Sequence, residues 1–250
     1  MIVKSIIRLF CLLTLLVFSF SCIQTKTYTT DQVGLDQIKT PLYCGTYSSY
    51  VYYDKNNEVI FNDSLTLVGN KVYDSIVRRR FRKIEFPKSN IISDTTTAAL
   101  LSKELLSIVK YATLNEKIRS YTISDVFKTV TQNYTNSHFL FLVPTGYIRS
   151  KESIKKERKE HMGYTTDMAI ASIVGSVFAT ALTGGAGVFI FVPRGQKVSK
   201  QGSNCHLILY DKKKNEISFY RQQFFTNGET APLPRKHLKN QVEYILKEYL

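Results

Sequence analysis

Histidine and cysteine, the side chains that most often bind zinc, are scarce in this chain. Its 250 residues contain four of each. Only Cys205 and His206 are neighbours, and adjacent residues of a strand point to opposite faces, so this pair cannot readily bind one ion. The other histidines have no second histidine or cysteine at a metal-ligand spacing; they are His138, His161 and His237. The sequence therefore predicts no metal site.

Motifs of common enzyme classes are also missing. The chain has no Gly-x-Ser-x-Gly elbow of a serine hydrolase. The segment TGGAG, residues 183–187, lacks both the lysine of a phosphate loop and the strand-then-helix order around it, so it predicts a turn. The acidic residues are scattered and cannot be assigned to an acid–base pair. We therefore expect a protein that is not an enzyme and that has no cofactor.

Acidic residues are outnumbered, with 20 Asp and Glu against 34 Lys and Arg, and the net charge is +14. Such a surplus favours nucleic acid, anionic lipid or acidic sugars as partners, or it belongs to a solvated surface without a partner. Much of it lies in two segments, VRRRFRK at Val77–Lys83 and SKESIKKERKEH at Ser150–His161. The second mixes Glu and Lys at helical spacing, which is typical of an exposed helix.

The first 21 residues are typical of an export signal. Lys4 and Arg8 give a positive start, and an apolar region from Leu9 to Phe18 follows. That region is too short to span a bilayer as a mature helix. We predict a signal peptide over residues 1–21, whose removal lowers the net charge by two. An uncleaved anchor and cleavage without lipidation are the alternatives.

Cys22 follows this leader at a position typical of a lipidated cysteine. Ser19 and Ser21 lie where a signal peptidase needs narrow side chains, while Phe18 and Phe20 depart from the strict lipobox and resemble its relaxed form. We expect Cys22 to carry acyl chains such as palmitate, and about 0.8 kcal/mol per buried methylene makes such an anchor permanent. No acidic pair follows Cys22, so we expect the periplasmic side of the outer membrane.

The rest of the chain predicts one domain behind a linker. Residues 22–40 are polar and rich in threonine, which predicts a flexible tether. Residues 41–250 then form a single compact domain, since an apolar content of 44% is ample for a packed core. Outside the cytoplasm, Cys44 and Cys205 form a possible disulfide or remain buried thiols. Nucleic acid is not an expected partner in that compartment.

Hydrophobic patterns in this domain predict a mixed β-sheet packed against helices, with a β-hairpin at each end. The two hairpins are Pro41–Val68, where DKNN separates two extended runs, and Cys205–Gln222, around DKKKN. Apolar spacing and buried runs predict the elements between them. These are a strand from Phe81 to near Pro87, a helix from Asp94 to Ala112, a helix from Ser124 and a strand at Ser137–Ile148 that is buried on both faces.

Residues Met168–Val192 contain no charged side chain and are long enough to cross a bilayer. Three glycines interrupt this run near its middle, and its second half is β-branched and aromatic. We predict a helix over Asp167–Leu182, a glycine turn and a strand. A single transmembrane helix and conditional membrane insertion are the alternatives.

Four features together resemble bacterial envelope lipoproteins related to CsgG and the amino-terminal domain of TolB. They are Cys22 with its leader, HFLFLVPTGYI, MAIASIVGSVFATALTGG and HLILYDKKKNEISFY. The last is similar to that group's LxLYDxxxGExxW hairpin, with Asn215 at the usual glycine and Phe219 or Tyr220 near the usual tryptophan. The likeness covers about residues 81–220. It implies an α/β fold without catalysis, and only the acylated cysteine transfers as a functional residue.

The resulting hypothesis is a lipid-anchored, non-enzymatic envelope protein that acts in assembly or transport by binding an envelope protein or further copies of itself. An envelope enzyme acting on cell-wall or surface glycan is the first alternative. An integral protein that spans the membrane at residues 168–192 is the second.

Overall fold

The computed structural model describes residues 25–30, 34–87, 94–161, 201–227 and 235–250. Within these ranges the strands are β1 Thr25–Thr29, β2 Leu42–Thr46, β3 Ser49–Tyr53, β4 Val59–Phe61, β5 His138–Arg149, β6 Gln201–Asp211 and β7 Glu216–Asn227. The helices are α1 Asp63–Arg80, α2 Thr95–Asn115, α3 Val126–Thr131, α4 Lys151–His161 and α5 Arg235–Ile245, with 3-10 turns at Leu35–Gln37 and Lys247–Tyr249. The predicted mixed α/β fold is confirmed.

The strands form one open, mixed sheet in the order β1-β7-β6-β5-β3-β4, and β2 also pairs with β5. β2 and β3 lie one after the other along β5, and both run parallel to it. The other neighbouring strands are antiparallel. β5 therefore lies inside the sheet with strands on both sides, which agrees with the prediction of a strand buried on both faces.

The register defines two ends of the sheet. At the β5 carboxyl end, Ile148 pairs with Gln201, which pairs with Asn227. At the β5 amino end, His138 pairs with Asp211, which pairs with Glu216. A 12-residue strand makes these ends about 35 Å apart.

Helices cover both faces of the sheet because successive strand residues point to opposite sides. Leu140 and Leu142 of β5 share one hydrophobic cluster with α1 and α5, through Tyr73, Val77 and Val242. The other cluster contains alternate β5 residues and the buried sides of α2 and α3, through Phe139, Phe141, Leu101, Leu105 and Phe127. The predicted double-sided burial of β5 is confirmed.

The helices begin at side-chain caps. Asp94 accepts hydrogen bonds from the backbone N–H of Thr96 and Thr97, at 3.1 and 2.7 Å, and starts α2. Asn62 accepts from the N–H of Leu65 at 2.9 Å and starts α1. The predicted helices at Asp94–Ala112 and from Ser124 are confirmed as α2 and α3, and the helix predicted after Ser150 is confirmed as α4.

The structure confirms the second predicted hairpin as β6–β7 and corrects the first. The DKNN turn joins β3 and β4, but β4 ends at Phe61 and the predicted extended run to Val68 is wrong. The Asn62 cap turns those residues into the first turns of α1. The strand predicted from Phe81 is also wrong, because it is reduced to a single bridge between Leu42 and Glu85.

The segment predicted as a tether differs in its described part. β1 pairs with β7 along its whole length, from Thr25 with Gln223 to Thr29 with Phe219. Leu35 and Ile38 are buried in the cluster with α1 and α5. Residues 25–30 and 34–40 therefore belong to the folded domain.

Cys44 and Cys205 are free thiols, so the possible disulfide is not formed. Both are buried, but they belong to the two clusters on opposite faces of the sheet. Cys22 and residues 168–192 lie outside the described residues, and the predictions made for them stay predictions. Of the helices that the structure describes, none combines the length and the hydrophobicity that a membrane crossing requires.

Candidate interaction surface

The outer side of β4 is an open sheet edge, since no described strand pairs with it. Asp54 donates its N–H to the Glu58 carbonyl at 3.1 Å, and Asn62 donates its N–H to the Tyr50 carbonyl at 2.8 Å. Inward-facing and outward-facing residues alternate in an antiparallel pair. Val59 and Phe61 therefore direct their backbone N–H and C=O groups outward, away from β3.

Exposed apolar side chains accompany this edge. Ile60 is 50% exposed and Phe61 is 41% exposed. Leu67 and Val68 of α1 are 60% and 49% exposed, and α1 begins two residues after Phe61. At 1.5 Å rise per residue, both lie within about 10 Å of Phe61 along the helix axis. An apolar edge strand beside apolar helix residues is typical of a surface that binds another chain.

Among the described strands, β1 forms the opposite edge of the sheet, and it is more polar, with the sequence TKTYT. Thr30 donates its N–H to the Ser218 carbonyl at 3.1 Å, so by the same alternation Thr27 and Thr29 direct their backbone groups outward. Counting the pairings across the sheet, β1 and β4 run in the same direction. The two open edges of one chain are therefore parallel to each other.

A buried polar network lies on the α2 face of the central strands. His206 Nε2 lies 3.2 Å from Thr145 Oγ1, and His206 Nδ1 lies 2.8 Å from the Tyr220 hydroxyl. That hydroxyl donates to Gln222 Oε1 at 3.2 Å. Burial lowers the pKa of His206 to about 3, so the imidazole is neutral at pH 7. All four side chains are at most 1% exposed, and the network therefore orders the sheet rather than binding a solute.

Ser137, His138 and Asp211 resemble a catalytic triad at first inspection. Ser137 Oγ lies 2.9 Å from His138 Nδ1, but His138 Nε2 lies 3.7 Å from Asp211 Oδ2, beyond a hydrogen bond. Asp211 Oδ1 instead accepts from the backbone N–H groups of Lys213 and Lys214 in the β6–β7 turn. Burial is the main cause that lowers the pKa of His138. The arrangement is a cross-strand pair that ends the sheet.

Among the described residues, two carboxyl groups have shifted pKa values, and both are lowered. Hydrogen bonds from Thr97 and Thr96 lower the pKa of Asp94 at the start of α2. Burial alone would raise the pKa of Glu248, but two hydrogen bonds of 2.8 Å from Arg221 outweigh it, so the pKa is lowered. A general acid of a glycosidase needs a raised pKa, so neither group suits that role.

Cys205 and His206 direct their side chains to opposite faces of the sheet. Cys205 packs with Leu207 in the α1 face cluster, while His206 bonds on the other face, as the strand alternation predicts. His161 ends α4 and His237 lies in α5. Among the described residues, no group of three His, Cys, Asp or Glu side chains is placed to hold an ion.

Sequence reasoning missed both the β4 edge and the His206 network. Each depends on which strands are neighbours in the sheet, whereas sequence patterns identify strands one at a time. The nearest available signal for β4 was the apolar pair Ile60 and Phe61 directly after a turn. For the network, no local signal links His206 with Thr145, 61 residues earlier.

This chain shows little similarity to known proteins. No family model matches the chain. No curated protein matches it either. A solved dodecamer of a PelC variant from Paraburkholderia phytofirmans matches with a TM-score of 0.33 and 8% identity, over 90% of this chain and 96% of that chain. A similarity at this level supports no inference about fold or function.

Proposed function

We propose that the protein is a lipid-anchored, non-enzymatic component of the cell envelope that assembles with further copies of itself through its open sheet edges. Its Cys22 anchor would hold it on the periplasmic side of the outer membrane. The signal-like leader, Cys22 and the resemblance to lipoproteins related to CsgG support the location. The exposed apolar edge at β4 is the observation that carries the assembly.

The anchor restricts how copies can pair. Cys22 precedes Thr25 by three residues, a reach of about 10 Å. Antiparallel pairing of β4 with a second β4 would place the two anchors at opposite ends of the joined sheet. Both anchors also fail to reach the membrane if the joined sheet lies flat on it. Half the thickness of the sheet and one layer of helices then separate the strands from the bilayer by about 15 Å, which exceeds the reach of about 10 Å.

Pairing β4 of one copy with β1 of the next avoids this conflict. Both edges run in the same direction, so parallel pairing keeps every anchor at the same end of the sheet. Val59 and Phe61 offer outward N–H and C=O groups on one edge, and Thr27 and Thr29 offer them on the other. The contact is heterologous, and repeated contacts of this kind produce a ring or a filament.

A three-residue edge gives a weak contact in solution. Burying one apolar side chain such as Ile60 contributes about 1.5 to 3 kcal/mol, which is less than association costs in translational and rotational freedom. Anchoring on one membrane raises the effective concentration of the copies and favours the contact. We therefore expect assembly to be stronger on a membrane than in dilute solution.

Cross-linking between two cysteine variants tests the pairing. Ile60 points to the α1 face of the sheet, and so does Thr27, because Arg221 Nε contacts Thr27 Oγ1 on that face. Ile60→Cys and Thr27→Cys copies, mixed in the same vesicles, are expected to cross-link with a short bis-maleimide. The control pairs Thr27→Cys with Leu100→Cys, which is 55% exposed on α2. Equal yields in both mixtures would show that the contact is not through β4.

The lipid anchor needs a separate test, since assembly does not require it. Metabolic labelling with a fatty-acid analogue is expected to mark the wild-type chain and to fail with Cys22→Ser. Label that persists in the variant would remove the anchor from this proposal and leave the edge contact untouched.

A further inference from the structure

Five exposed cationic side chains lie within six residues at the end of α1. They are Arg78, Arg79, Arg80, Arg82 and Lys83. Cations in the last turn of a helix interact favourably with the partial negative charge at its carboxyl end, and this accounts for Arg78, Arg79 and Arg80. The last two lie beyond Arg80, where α1 ends, so helix stabilisation does not account for them.

Some of these cations already have partners. Arg80 forms an ion pair with Glu243 of α5, and Lys83 donates to the Leu250 carbonyl oxygen at 3.0 Å. The Arg78 guanidinium lies 5.0 Å from the centre of the Phe86 ring. Arg79 and Arg82 have no partner among the residues that the structure describes. Their two guanidinium groups are available to an external anion.

This cluster lies at the β5 amino end. Tyr43 donates its N–H to the Glu85 carbonyl at 2.9 Å, which places the chain just after Lys83 beside the start of β2. The β6–β7 turn lies at the same end and exposes Lys213 and Lys214. Only β5 separates β6 from β2, so these two strands are about 10 Å apart and both groups of cations lie at the same end of the sheet.

We propose that this basic end, formed by Arg78–Lys83 and Lys213–Lys214, binds an acidic polysaccharide. Arginine forks bind carboxylates through two parallel hydrogen bonds, and they do so at Arg221 and Glu248 in this same fold. Cations spread over two separate elements match a polymer with repeated charges better than a single small anion.

The surroundings favour a polysaccharide over a protein or a bilayer. Protein interfaces have an apolar centre, whereas the described contacts place only Leu250, beside Lys83, and Tyr244, next to the Arg80 partner Glu243, as large exposed apolar side chains at this end. The start of β1 lies far from the basic end. Thr25 is level with Pro144 of β5 through the pairings of Gln223 and Cys205, and Pro144 is about 20 Å along the strand from His138. If Cys22 is acylated, as proposed above, its reach of about 10 Å leaves the basic end away from the anchoring bilayer.

Binding of polygalacturonate to the full mature chain in nonionic detergent tests this proposal. Arg79→Gln combined with Arg82→Gln is expected to weaken binding about tenfold, because two bidentate carboxylate contacts are lost. Lys103→Gln combined with Lys117→Gln makes the same change in net charge on the exposed side of α2 and just after it, and is expected to have little effect. Arg79→Lys combined with Arg82→Lys keeps the charge but removes the two parallel hydrogen bonds of each guanidinium. Its affinity is expected to lie between those of the Gln pair and the wild type.

The Gln pair removes like-charge repulsion but also one cation from the last turn of α1, and because these two effects oppose each other the melting temperature is expected to stay close to that of the wild type, which thermal melting checks. Neutral dextran, polyglutamate and phosphatidylglycerol vesicles serve as comparison ligands. Equal weakening by the Lys103 and Lys117 pair would overturn the proposal, because net charge alone would explain binding. Binding to polyglutamate as tight as to polygalacturonate would identify an acidic protein instead, and binding to vesicles alone would identify a membrane. Loss of the lipid label in a separate assay does not affect any of these outcomes.

Discussion

Mild acid is expected to destabilise the domain through His206. In the folded chain this side chain is buried and neutral, between Thr145 and the Tyr220 hydroxyl, with a pKa of about 3. In the unfolded chain an ordinary histidine has a pKa of about 6.5. Below that pH the unfolded state binds a proton that the folded state does not, so the free energy of unfolding falls as the pH falls.

The magnitude follows from the two pKa values. The contribution of neutral His206 to the free energy of unfolding is fully present above pH 6.5 and is lost progressively as the pH falls to about 3. Between pH 7.5 and pH 5.0 the expected loss is about 2 kcal/mol, and it reaches about 4 kcal/mol at pH 3. At pH 5.0 the loss depends on the unfolded pKa alone, as long as the folded pKa lies below about 4.

Urea unfolding of the wild type and of His206→Gln at both pH values measures this difference. With an m-value of about 2 kcal/mol/M, the loss corresponds to a fall of about 1 M in the wild-type midpoint. Glutamine keeps a hydrogen-bonding side chain but does not titrate, so the variant is expected to lack this part of the pH dependence whatever its stability at pH 7.5. His138, whose pKa is also lowered, is present in both proteins and cancels in the comparison.

Two results would refute this reasoning. One is the same pH dependence in His206→Gln as in the wild type. The other is an imidazole NMR signal of His206 that titrates above pH 5 in the folded protein, since that would require solvent access or a charged partner that the structure does not place there.

Two further predictions concern packing. Gly146→Ala is expected to lower the free energy of unfolding by about 1 to 3 kcal/mol, because the new Cβ would clash with the ring of Tyr50 and lie 3.0 Å from the Gly202 carbonyl oxygen. The double variant with Tyr50→Ala should lose less stability than the sum of the two single variants. Full additivity would contradict the contact. Leu101→Ala is expected to cost about 2 to 5 kcal/mol, whereas its exposed neighbour Leu100→Ala should stay within about 0.5 kcal/mol, and equal urea midpoints for the pair would show that α2 packs through another side.

Elements with a strong local signal were predictable from the sequence. The apolar run from Phe139 identified the central strand, because only a strand covered on both faces is apolar at every position. Asp94 followed by leucines at helical spacing identified α2 and its start. The DKKKN turn between two runs of aliphatic and aromatic residues identified β6 and β7. Each of these signals lies within about twenty residues of sequence.

α1 was missed although its signal is present. Gly69, Tyr73, Ile76 and Val77 form its buried side at helical spacing. The preceding residues from Val59 to Val68 are rich in β-branched and apolar side chains, and they favoured a strand. The Asn62 cap decides between the two, because a side chain that accepts the Leu65 N–H commits the chain to a helix.

Strand neighbours could not be predicted from local patterns. β1 pairs with β7, about 200 residues later, and β2 runs parallel to β5, about 100 residues later. The proposed edge contact depends on these pairings, since they determine that β1 and β4 are the edges of the sheet that the described strands form. The basic end depends on them as well, because they bring the end of α1 and the β6–β7 turn to the same end of the sheet.

The two proposals support each other geometrically although they concern different surfaces. If β4 of one copy pairs with β1 of the next, every copy has its strands in the same direction. All basic ends then lie on one side of the assembly and all anchors on the other. A polymer that contacts several basic ends binds more tightly than to one copy, because each later contact is intramolecular. Polygalacturonate should therefore bind vesicle-anchored wild type more tightly than detergent-dispersed wild type, and Ile60→Lys should remove that gain while leaving the affinity of the single chain unchanged.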